Sequence, residues 1–174
     1  MATTTGYKLR AAVKALEMQL ETAVRVFNDS LVKYPSENKI APIAAMGELL
    51  SLETRIAKLQ AAQSEYNGKV VVNVLGNDMT LTEAVKRVGG AGRVVSLWKK
   101  ASGASDPNNR YYGSPFDNMR SRDPNQEYTE RAISEKDATV QAVEAERFAS
   151  ALRGAIAEGN ATSIEINLDP TLLA

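Results

Sequence analysis

Leu9, Val13, Leu16, Leu20, Val24, Phe27 and Leu31 recur at steps of three and four residues. That spacing matches the helical turn and draws one narrow apolar stripe along a helix from about Gly6 to Tyr34. Lys14, Glu17, Glu21, Arg25 and Asp29 fall off the stripe. A helix of about 26 residues is about 39 Å long, more than a compact domain of this size spans, and so narrow a stripe asks for another long helix beside it. Pro35 stops the pattern. Met46, Leu49, Leu52, Ile56, Leu59 and Tyr66 then repeat the period, from Pro42 in a first helical turn to the stop signal Asn67-Gly68. The two segments predict an antiparallel helical hairpin. Their stripes exceed what one chain covers, so a homo-oligomer is expected.

The pattern changes at Lys69–Leu75, a β-branched run bounded by Gly68 and Gly76 that reads as a strand. Gly76-Asn77-Asp78 reads as a turn, and Thr80-Leu-Thr-Glu83 fits a capping box. Leu81, Val85, Val88, Val95 and Trp98 give the next helix its apolar face. Gly89, Gly90 and Gly92 weaken that helix by about 1 kcal/mol each, which suggests a kink, a close approach or a tolerated loose turn. Tyr128–Ile133 reads as a short strand. Ser134 or Asp137 caps a last helix to Glu158, with Val140, Val143, Phe148, Leu152 and Ile156 inward and Gly159-Asn160 as its stop. Thr162–Leu168 alternates polar and apolar, the mark of a half-buried strand and a natural partner for Val70–Leu75. The expected fold is mainly α (α+β), one domain over residues 1–174: the long hairpin, two further helices and a β element of two or three strands. Residues 101–127 are broken by Gly103, Pro107, Gly113, Pro115 and Pro124 and read as a functional or mobile loop insertion.

Composition narrows the chemistry. Among 174 residues, Lys plus Arg and Asp plus Glu number 21 each, so the chain is not a general polyanion binder and no long nucleic acid is expected as partner. Cysteine and histidine are absent. Thiol nucleophiles, disulfides, thiolate or imidazole metal sites and histidine acid–base catalysis are excluded together. Met1–Arg10 has no apolar core, and no run approaches the roughly 18 apolar residues of a membrane span. The expected setting is cytoplasmic, with no membrane partner.

An ordered set of segments carries a resemblance. Lys8-Leu9 opens the first helix and Glu48-Leu-Leu-Ser-Leu-Glu-Thr-Arg-Ile56 lies in the second. Leu81-Thr-Glu-Ala-Val-Lys-Arg87, Leu152-Arg-Gly-Ala-Ile156 and Asn160-Ala-Thr162 follow in turn. In order and spacing the chain resembles the septicolysin-like family, small and mostly helical bacterial proteins whose function is not established. The resemblance covers most of the chain except residues 101–127. It implies a helical, self-associating protein and supplies no catalytic residues.

The segment Arg110-Tyr-Tyr-Gly-Ser-Pro-Phe-Asp-Asn-Met-Arg-Ser-Arg122 combines arginine forks with aromatic faces. Arg110, Arg120 and Arg122 match phosphate oxygens, Tyr111, Tyr112 and Phe116 offer stacking faces, and Asn109 reads amide-like edges. Lys99 and Lys100 add charge nearby. The competing account has the aromatics tacking a loop to the body while the arginines pair with Asp117 and Asp123. Arg87, Arg93 and Arg147 form an alternative basic site at a subunit interface. Gly89-Gly-Ala-Gly92 fails as a phosphate loop, because it sits within a helical pattern and no Gly-Lys-Ser/Thr follows. Gly76-Asn77-Asp78 with Glu83 is explained by turn and cap rather than by a metal. Glu144, Glu146 and Glu158 are not spaced to act as a pair on one face. The expected function is a non-enzymatic, homo-oligomeric protein that captures or sequesters a phosphate-bearing ligand such as a nucleotide signal. That form would suit a virus-encoded protein. The alternative is a scaffold without ligand, and no cofactor is expected in either case.

Overall fold

The computed structural model describes residues 1–32, 34, 37–103 and 132–173. Its described helices are α1 (Gly6–Ser30), α2 (Pro42–Lys69), α3 (Leu81–Ser102) and α4 (Glu135–Ala161). Strands β1 (Ala2–Thr4), β2 (Val71–Val74), β3 (Asn77–Thr80) and β4 (Ile164–Ile166) form two separate antiparallel pairs, β1 with β4 and β2 with β3. A 3-10 turn, Pro170–Leu173, follows. The architecture is mainly α with a small β element. The chain divides into two compact units, Met1–Val85 with Gly154–Ala174 and Lys86–Arg153.

The first unit contains the α1–α2 hairpin. Thr5 begins α1 by accepting the Lys8 amide on its side-chain oxygen at 3.3 Å. Leu9, Leu16, Ala23 and Ser30, seven residues apart, are the buried seam of α1. Val13, Leu20 and Phe27 are half-buried, while Val24 and Leu31 are exposed, so the expected stripe divides between a seam and an outward edge. Ala45, Leu52, Ile56, Leu59, Ala62 and Tyr66 form the buried face of α2. Large side chains fill the end of the seam nearest Tyr66, each worth about 1.5–3 kcal/mol of burial. Ala23, Ser30 and Ala45 leave the other end thin. There Lys39 Nζ donates to the carbonyls of Asp29 (3.2 Å) and Val32 (3.0 Å) and closes the end of α1.

Tyr66 joins α2 to the chain's C-terminal part. Its hydroxyl shares one proton between the carbonyls of Gly159 and Thr162, both 2.6 Å away. A Cβ at Gly6 would collide with Asn160 Oδ1 and lie 2.9 Å from Tyr66 Cε1. Gly159 is just as confined: a Cβ there would lie 2.7 Å from Val72 Cγ1 and 3.1 Å from Leu81 Cδ1. Gly159-Asn160 therefore does not stop α4, which continues to Ala161; the glycine permits a close approach. Asn67-Gly68 likewise lies inside α2, which runs to Lys69.

The strands correct the expected pairing. β4 pairs with β1, Ala2 opposite Ile166 and Thr4 opposite Ile164, and not with β2. β2 turns straight back onto β3, Val71 opposite Thr80 and Val74 opposite Asn77. The turn is Leu75-Gly76, one residue earlier than expected, and Asn77 and Asp78 already belong to a strand. Both turn residues have positive φ, 52° at Leu75 and 88° at Gly76, as a two-residue hairpin turn requires. Asn73 braces it, its Oδ1 accepting the Gly76 amide at 2.9 Å. Thr80 caps α3 as expected, accepting the Glu83 amide at 3.2 Å.

In the second unit α3 passes through Gly89, Gly90 and Gly92 without a break. Nothing lies within 4 Å of a Cβ at Gly92, and only the Arg93 guanidinium approaches Gly89 and Gly90, so the glycines are tolerated there and no packing demands them. Ser134 caps α4, accepting the Asp137 amide at 3.0 Å. The buried face of α4 in this unit is Ala138, Ala142, Ala149 and Leu152. Phe148 is half-buried, whereas Val140 and Val143, expected inward, are exposed. The small alanines win the inner face and the valines are displaced outward. Ala132 and Ile133 form a bend rather than the end of a strand, and the rest of Tyr128–Ile133 lies outside the described residues.

Tyr66→Phe leaves two carbonyls without their shared donor and should cost about 1–3 kcal/mol, read as a lower urea midpoint. Leu75→Asn should move the midpoint the other way by about 1 kcal/mol, because asparagine enters the left-handed region more cheaply than leucine.

Candidate functional site

Two grooves flank α1 at the Tyr66 end of the hairpin. One, of about 490 Å³, is lined by Lys8, Ala12, Ala15 and Gln19 of α1, Arg55 of α2, and Leu172. The other, of about 500 Å³, lies among Arg10, Val13, Lys14, Glu17, Gln60, Gln63 and Asn67. The helical turn places residues 8, 12, 15 and 19 on one side of α1 and 10, 13, 14 and 17 on the other. Lys8, Arg10 and Lys14 are exposed and Arg55 is half-buried. Among the described residues, none of these four cations is in an ion pair. A third groove, of about 550 Å³, continues along α1 past Met18, Thr22 and Val26 to Glu48.

The second unit holds a smaller groove of about 320 Å³, lined by Arg87, Gly90, Ala91, Val94, Ala145 and Phe148. It brings one of the expected helical arginines to an aromatic ring. Arg93 and Arg147 do not line it; the Arg93 guanidinium lies over Gly89 and Gly90 instead. Lys99 is held by Glu146, Nζ to Oε2 at 2.8 Å. Lys100 is exposed on the next position of α3, about 100° round the helix. Asn109, Arg110, Tyr111, Tyr112, Phe116, Arg120 and Arg122 lie outside the described residues. Phe148 was legible as an apolar residue of α4, but no sequence signal pairs it with Arg87.

Among the described residues, the resolved carboxylate shifts run downward. A hydrogen bond from Lys99 holds Glu146 below the ordinary carboxylate range, and Lys69 does the same for Glu65. The Tyr34 amide lowers Glu37, and the Thr171 amide lowers Asp169. Each of these groups is held as the anion, and none is held protonated as a general acid would be. Among the described residues no cluster of acidic side chains could hold a metal ion, and no helix is long and apolar enough to cross a membrane.

No family model matches the chain, and no curated protein matches it. A crystal structure of a functionally unknown conserved protein from Corynebacterium diphtheriae shares its fold, with a TM-score of 0.60 at 14% identity. The match covers 94% of this chain and 100% of that one. At that identity the likeness speaks for the fold alone.

Proposed function

We propose that this protein is a non-enzymatic assembly protein that acts as a homo-oligomer built on the α1–α2 hairpin. The observation that carries the reading is the exposed apolar surface of that hairpin: Met18, Leu31, Tyr34, Ile43 and Leu50 are all more than half exposed. Large apolar side chains exposed in such number on one helical hairpin favour an interaction surface. Two helices bury one seam between them and leave their outer faces to a partner. The resemblance to the septicolysin-like family points the same way, since it implies a self-associating helical protein. A chain with neither histidine nor cysteine, and with its shifted carboxylates all lowered, is better suited to binding than to acid–base or nucleophilic chemistry.

Light scattering at micromolar concentration should give a multiple of the 18.8 kDa chain mass. Ile43→Glu with Leu50→Glu should return it to one chain while leaving the melting temperature of the monomer intact, because both side chains point outward. A wild-type mass of one chain would sink the reading.

Ligand capture is the second reading, favoured by the Arg87–Phe148 groove. A groove lined by both an arginine and an aromatic side chain is suited to a phosphate-bearing ligand with a planar ring, such as a nucleotide. A panel of nucleotides and cyclic dinucleotides at millimolar concentration should then raise the melting temperature by several degrees, by mass action on the native state. Arg87→Ala should abolish that shift. If Arg110→Ala, Arg120→Ala and Arg122→Ala together abolish it instead, the ligand is held by the segment read from the sequence. No shift with any compound leaves the scaffold alone.

A further inference from the structure

The α1–α2 hairpin is zoned by charge along its length. The Tyr66 end, its base, carries Lys8, Arg10, Lys14, Arg55, Lys58 and Lys69 against two acids on its helices, Glu17 and Glu65, the second paired with Lys69 at 2.6 Å. The other end, its tip, carries Glu21, Asp29, Glu48 and Glu53 against a single helical cation, Arg25. The grooves of about 490 and 500 Å³ lie at the base, floored by alanines and Val13 and rimmed by Lys8, Arg10, Lys14 and Arg55 together with Glu17, while the groove of about 550 Å³ runs on toward the tip. Large outward side chains crowd the tip, with Val32 77%, Tyr34 74%, Ile43 89% and Leu50 60% exposed. On its helices the tip is net acidic and the base net basic.

We infer that a second copy of this chain lies antiparallel along the hairpin, so that the apolar, acidic tip of each copy seats on the grooved, basic base of the other. This rests on the proposed self-association and names its register. The contact is isologous: a two-fold axis passes near the middle of α1, and every tip–base contact occurs twice. Tip-to-tip pairing would cover the same apolar side chains, but it would set Glu21, Glu48 and Glu53 against their own copies, and like charges across an interface oppose association. The opposite charge of the two ends, with the exposed apolar side chains of the tip, favours this one occupant.

The absence of cysteine makes the register directly readable. Tyr7 stands at the base end of α1 and Val32 just past its tip end, both exposed. Tyr7→Cys and Val32→Cys proteins are mixed, allowed to exchange, treated with a short bismaleimide and read by mass. Antiparallel seating gives cross-linked dimers in the mixture and none in either variant alone. Dimers linked in Val32→Cys alone would overturn the register while self-association stands. A dimer by light scattering that gives no tip–base link would overturn it as well. A monomer throughout overturns both the register and the assembly. As an independent arm, Lys8→Glu with Lys14→Glu alters exposed base residues outside the seam, and should weaken the dimer about tenfold at low salt, with the difference shrinking as salt rises. A dimer indifferent to these base charges would count against the antiparallel seating.

Discussion

The Tyr66 hydroxyl gives one proton to two carbonyls at the place where α4 ends, and the first unit is organised around that point. The ring is fully buried, so the polar atom at its tip must be satisfied within the protein. Holding Gly159 and Thr162 there draws the end of α4 onto α2 and carries β4 to its place beside β1. It also sets the tolerances around it. Gly6 has room only for a hydrogen beside the ring and Asn160, and Gly159 only for a hydrogen beside Val72 and Leu81. Two glycines far apart in sequence are thus required on either side of this junction, one by the Tyr66 ring and Asn160 and the other by Val72 and Leu81.

From that anchored base the hairpin loosens toward its tip. Leu9, Leu16 and Leu59 fill the seam near Tyr66, whereas Ala23, Ser30 and Ala45 hold it at the far end and larger apolar side chains turn outward. A seam of small residues releases little free energy on burial, so the tip depends more on what covers it than the base does. The change in packing coincides with a change in the sign of the surface charge. The same helices therefore present two ends of unlike charge, a basic base and an acidic tip.

The candidate sites were legible to different degrees. The zoning of charge lies open in the sequence, because Lys8, Arg10 and Lys14 precede Glu17 and Glu21 along one helix, and Glu48 and Glu53 precede Lys58 and Lys69 along the other. That the two like-signed halves lie side by side follows once the helices are antiparallel. The Arg87–Phe148 groove was not legible, since it joins α3 to α4 across a long separation in the chain. Nor was the engagement of Lys99 by Glu146, because an ion pair between helices depends on their rotation about their own axes, which a stripe of apolar residues fixes only coarsely.

By itself the sequence determined what short-range physics controls. The helical period fixed α1 and α2, hydroxyl caps at Thr80 and Ser134 fixed where α3 and α4 begin, and the missing histidine and cysteine removed whole classes of chemistry. Those features depend on neighbours three or four residues away, and local spacing records them. The tertiary structure decided what depends on distant partners. β1 is three residues long, too short for alternation to declare it, and exists as a strand because Ile164–Ile166 is there to pair with it. Gly159 carries an ordinary helix-stop signal, yet the gain from closing α4 onto β2 and the start of α3 outweighs the propensity to end the helix. Val140 and Val143 are as apolar as any core residue and lie outside, because the turn of α4 that packs inward carries Ala138, Ala142, Ala149 and Leu152 instead. Local preference selected the elements; the steric fit between them selected which of their residues became the core.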